Sequence, residues 1–74
     1  MAKYTYLAVI QQNYGFGWED NSEYETNSQG IPKEYTDKRD KYNRPISLLR
    51  HDLNEYKLTG YATRVIYRKE LNKV

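Results

Sequence analysis

The chain has 74 residues, no cysteine, one histidine and a net charge of +2. A body this short buries only about 60% of the surface its unfolded chain exposes, and the missing thiols exclude both a disulfide staple and a thiolate zinc centre. The charge is unevenly placed: residues 1–37 carry two Lys/Arg against six Asp/Glu, and residues 38–74 carry ten against four, so an acidic half precedes a basic one.

The expectation is a single domain over residues 1–74. The stretch from Met1 to Ile10 is too short and too interrupted for a signal-peptide core, and no run approaches the ~20 apolar residues of a membrane span. A soluble, cytoplasmic protein without a membrane partner is expected.

Tyr4 to Gln12 reads as a strand, rich in aromatic and β-branched residues and free of Gly and Pro. Tyr4, Tyr6, Ala8 and Ile10 fall on one face and Thr5, Leu7 and Val9 on the other. A strand apolar on both faces belongs in the middle of its sheet. Asn13–Gly17 follows as a turn, with two glycines free to take positive φ. Trp18 to Thr26 alternates with period two, placing Trp18, Asp20, Ser22, Tyr24 and Thr26 on one side and Glu19, Asn21, Glu23 and Glu25 on the other. That charged row suits an edge strand that must resist stray pairing.

Residues 27–44 are mostly polar and read as a long loop or insertion with Ile31, Tyr35 and Tyr42 as anchors; loops of this length tend to carry function or remain disordered. Pro45 marks a helix start, and Ile46, Leu49, Leu53 and Tyr56 recur at helical spacing up to Gly60. Tyr61 to Lys69 is the last strand, and residues 71–74 form a tail. The order is ββαβ, an α+β fold whose three-stranded antiparallel sheet has order 2-1-3 under a right-handed crossover. One helix then covers one face and leaves the other open.

Chemistry is sparse. His51 with Glu55 one turn later reads as a solvated charge pair rather than two ligands of a metal site. Glu19, Asp20, Glu23 and Glu25 lack surroundings that would raise a carboxyl pKa. Gly15-Phe16-Gly17 lacks the third glycine and following helix of a phosphate-binding loop. No catalytic residue, metal ligand or cofactor is assigned, and the protein is expected not to be an enzyme. Binding is the remaining role. Arg64, Arg68, Lys69 and Lys73 with Tyr61 and Tyr67 combine cations with stackable rings, as single-strand nucleic-acid binders do. Exposed Tyr and Arg are equally the residue types of protein interfaces. The expected contact residues are Tyr61, Arg64, Tyr67 and Arg68 on the last strand and Tyr35, Lys38 and Arg39 in the loop. A host protein, a nucleic acid or a second copy of the chain are the partners considered.

The run Ile10-Gln11-Gln12-Asn13-Tyr14-Gly15-Phe16-Gly17-Trp18-Glu19-Asp20, followed by Tyr24, resembles a Q-x-N-Y-G-x-G-W-E-D motif of small, mostly uncharacterised phage and prophage proteins. The similarity resumes at Asp52-Leu53-Asn54-Glu55-Tyr56 and at Arg64-Val65-Ile66-Tyr67-Arg68, covers about 45 of the 74 residues, and lapses between Thr26 and Pro45. The resemblance implies phage origin and architecture but no activity. It raises the expectation of a host-directed binder, such as an inhibitor of a host or defence protein. Within the motif, Asn13 is expected to cap the turn through its side chain and Trp18 to close the core on the helix side.

Overall fold

The computed structural model describes residues 3–72; Lys73, counted above among the basic residues, lies outside them. Six elements follow in chain order: β1 (Tyr4–Asn13), β2 (Trp18–Thr26), β3 (Tyr35–Arg39), β4 (Pro45–Ser47), α1 (Leu48–Lys57) and β5 (Ala62–Leu71). β1, β2 and β5 form an antiparallel sheet of order β2-β1-β5, so the predicted 2-1-3 arrangement is present with β5 as its third strand. β1 is central, and Ala8 to Gln12 along it are all buried. On one face Ala8 and Ile10 pack against Leu49 of α1, ringed by Tyr24, Leu53, Tyr56 and Val65. Burying Ile10 completely is worth roughly 1.5–3 kcal/mol.

The hairpin register contains one irregularity with large consequences. Ile10 pairs with Ser22, but the next residue, Gln11, pairs with Asp20. Asn21 is therefore an extra residue, a β-bulge, and a bulge reverses the facing of everything beyond it. Ser22, Tyr24 and Thr26 keep the predicted helix side. Asp20 and Trp18 turn to the opposite face, aligned with Gln11 and Asn13. The expected place of Trp18 in the core is thus corrected: it lies on the other side of the sheet and is 38% exposed.

The segment 27–44 is not a plain loop. Asn27 organises a turn in which its side-chain oxygen accepts from the backbone N–H groups of Gln29 and Ile31, and Thr26 bridges to Pro32. Beyond it β3 pairs antiparallel with β4, Tyr35 opposite Ser47 and Arg39 opposite Pro45. Pro45 consequently belongs to a strand, and the helix starts three residues later than predicted. The competing start signal is Ser47, whose hydroxyl accepts from the N–H of Arg50 as an N-cap. At the other end Gly60 adopts φ 86, the left-handed conformation expected after a helix.

The molecule is flat, 40 × 39 × 15 Å, with a Cα radius of gyration of 13.8 Å. A compact chain of this length would have about 11 Å. The β3–β4 ribbon forms a second sheet, joined to the N-terminal end of α1. Among the described residues no helix is long and apolar enough to cross a membrane.

Candidate functional site

The face of the sheet opposite α1 is not bare. Val9 lies on it and has 0% exposure. On the same face two arginines of β5 reach across β1. Arg68, level with Leu7, forms a bidentate pair with Asp20, level with Gln11, at 2.6 and 3.0 Å, so the pair spans the middle strand diagonally. Glu23 stands 4.0 Å from the same guanidinium. Arg64 donates to Gln11 Oε1 at 2.8 Å and stacks on the Trp18 ring, 4.1 Å from its centroid. Gln11 in turn donates to Asp20 at 2.7 Å. The Arg68 bond, and then that of Gln11, hold the Asp20 carboxyl below the usual carboxylate range. The two arginines of this face are therefore engaged with the protein's own side chains.

The expected contact residues separate accordingly. Arg64 and Arg68 share this face. Tyr67 is level with Ala8 on the helix side, where its ring lies against Gly30; a Cβ on that glycine would stand 3.3 Å from the ring. Tyr61 precedes β5 and packs edge-on against Tyr14, with centroids 4.7 Å apart. Tyr35, Lys38 and Arg39 are exposed on β3, in the separate two-stranded sheet. The structure thus brings Arg64 and Arg68 together and does not join the seven into one surface.

What it does assemble is an aromatic apex at the β1–β2 turn, which sequence reasoning passed over. Asn13 Oδ1 accepts from the N–H of Gly15, the side-chain cap expected there, and Gly15 and Gly17 both take positive φ, 105 and 107. Between them Phe16 is 96% exposed. At the two ends of this turn Tyr14 packs on Tyr61 and Trp18 stacks with Arg64. The available signal was Phe16 itself, a large apolar residue in a tight turn where polar residues are the rule.

Beneath the apex Gln12 is 2% exposed. Its amide nitrogen donates toward Tyr56 O, Thr59 Oγ1 and Thr63 Oγ1 at 2.9–3.1 Å, while its oxygen accepts from Tyr14 and Asn21 at 2.8 and 2.7 Å. One buried amide thereby ties β1 to the bulge, the helix end and β5. The bulge residue Asn21 faces the helix side for this reason.

The remaining titratable groups bind one another. Tyr24 donates to Asp52 at 2.6 Å, and His51 Nδ1 lies 3.0 Å from the other oxygen of Asp52. His51 therefore pairs with its neighbour in sequence, not with Glu55 as the helical spacing suggested. Burial first and the Asp52 bond second push the Tyr24 hydroxyl up to about 12. Asp52 is held low by Tyr24 and then by His51. A phenol that keeps its proton so firmly is a structural donor rather than an activated nucleophile. Among the described residues no three His, Cys, Asp or Glu side chains converge as a metal site requires. Compared with known proteins, the chain matches no family model, no curated sequence and no solved structure.

Proposed function

We propose that the protein is a small, non-enzymatic accessory protein of phage type that binds a host protein, with inhibition of a host or defence factor as the consequence. The observation that carries this reading is Phe16, held outward in water by a turn built from Asn13 and two positive-φ glycines. Leaving a phenyl ring wholly hydrated forgoes roughly 1.5–3 kcal/mol of burial, and aromatic residues of this kind form the anchors of protein interfaces. Tyr14, Trp18 and Tyr61 widen the apolar area around it. The sheet face contributes less than its composition suggests, since Arg64 and Arg68 are already paired. The resemblance to phage and prophage proteins supports a host protein as the partner and the host cytoplasm as the compartment. The engaged state of Tyr24, Asp52 and His51 supports a role without catalysis.

The test uses the immobilised protein and its Phe16→Ser variant against bacterial lysate, with light scattering of each alone. A protein captured by the first and lost by the second, at unchanged melting temperature, is the expected result. Identical capture by both would refute the docking role of Phe16. A dimer that Phe16→Ser converts to a monomer would replace the host protein with a second copy of the chain.

A further inference from the structure

The β3–β4 ribbon is the part of the molecule that the reading above leaves unused. Its connecting turn is built around one carboxylate. Asp40 Oδ1 accepts from the N–H groups of Tyr42 and Arg44, and Asp40 Oδ2 pairs with Arg50 of α1 at 3.3 Å. Backbone bonds between Asp40 and Arg44, and from Asn43 to Asp40, close the turn, and Asn43 takes φ 62. The Asp40 side chain is only 13% exposed, and the backbone N–H groups of Arg44 and then Tyr42, with Arg50, keep its carboxyl low. Its charge is thus spent inside the turn.

The residues held outward by this turn are of a different kind. Tyr42 is 65% exposed, with Lys41 Nζ 5.1 Å and the Arg44 guanidinium 5.2 Å from its ring centroid. Lys38 is exposed on the adjoining strand. Among the described residues none of these three cations lies within ion-pair distance of a carboxylate, in contrast to Arg68 on the sheet. The turn adjoins the N-terminal end of α1, whereas Tyr56 near the other end of the helix meets Gln12 below Phe16. The two surfaces can be occupied at once.

We infer that the Asp40–Arg44 turn binds single-stranded nucleic acid, Tyr42 stacking on a base while Lys38, Lys41 and Arg44 meet the flanking phosphates. An exposed ring flanked by unpaired cations matches the way single strands are held without sequence reading. A duplex offers the ring no unstacked base, and a purely acidic chain such as polyglutamate offers it no ring to stack on.

Fluorescence anisotropy with a labelled 20-nucleotide oligo-dT and the matching RNA tests this, with a duplex, polyglutamate and anionic phosphatidylserine vesicles as comparisons. Three neutralised phosphates predict a log–log salt slope of about −2, or about 20-fold weaker binding from 50 to 200 mM salt. Lys41→Ala and Arg44→Ala should each flatten that slope by about 0.7. Tyr42→Ala should weaken binding at least about fivefold at every salt concentration. Asp40→Ala separates a built site from mere positive charge: it removes a negative charge yet should weaken binding, because the turn loses its shape. No binding at 50 mM salt, equal or tighter binding to the duplex, polyglutamate or vesicles, or tighter binding by Asp40→Ala would overturn the inference. Phe16→Ser should leave oligonucleotide binding unchanged, so this site and the apex stand or fall separately.

Discussion

The strongest quantitative expectation concerns Gln12. Its amide uses its full hydrogen-bonding capacity: two protons shared among three acceptors, and two bonds received by the oxygen. At about 1 kcal/mol net per bond, Gln12→Ala could cost up to about 4 kcal/mol. The partners are not stranded, however. Thr59 and Thr63 hydroxyls still donate to Tyr56 O and Tyr61 O, and Asn21 still donates to Tyr14. A loss of about 3 kcal/mol, cavity included, is therefore expected, from a total of roughly 4–11 kcal/mol. In a urea titration with a slope of about 1 kcal/mol/M, the midpoint should fall by about 3 M. Gln12→Glu has nearly the same shape and should be worse at pH 7, since a carboxylate cannot donate to Tyr56 O and would sit unpaired in a buried site. Protonation should restore part of the loss, so this variant alone should gain stability relative to the native protein as pH falls from 7 to 4. If Gln12→Glu melts within about 1 kcal/mol of the native protein at pH 7, the amide is not the tie described above.

Three further outcomes can be checked. The Tyr24 hydroxyl ordinarily titrates at 10.0 and here at about 12; a raised value stabilises the fold fully below pH 10 and loses that contribution as pH rises through 12, so an alkaline melt should show a decline that Tyr24→Phe removes. Trp18→Ala should cost well below the 3–5 kcal/mol of a fully buried aromatic, about 1–2 kcal/mol by calorimetry, because the ring is half-exposed and packs on Arg64. Gly30→Ala should lower stability by about 1 kcal/mol in a urea melt, since φ +83 strains any L side chain, and Tyr67→Ala should relieve only the contact part of that cost.

The sheet order was legible because β1 is apolar on both faces, a pattern only a central strand satisfies. The helix stripe of Leu49, Leu53 and Tyr56 was legible for a similar reason: its period is a property of the element alone. Trp18 and Asp20 were misplaced because a period-two pattern assumes an unbroken ladder, and the bulge at Asn21 comes from a contact with Gln12 and Tyr14 that no local propensity encodes. The β3–β4 ribbon was missed since Asp37, Lys38 and Arg39 have weak strand preference; Asp40 imposes the turn from a side chain. The arginines of β5 were recognisable as contact residues by type. Their existing partner Asp20, 48 residues away from Arg68, could be seen only after the strands were aligned.

A body 15 Å through is little more than a sheet with one helix laid on it and a two-stranded ribbon attached, so most side chains reach water on some side. The fully enclosed side chains are concentrated along the middle strand, where both neighbouring strands and the helix converge. Such a chain can exchange one outward-facing contact set for another over generations while a handful of consecutive positions preserve its shape.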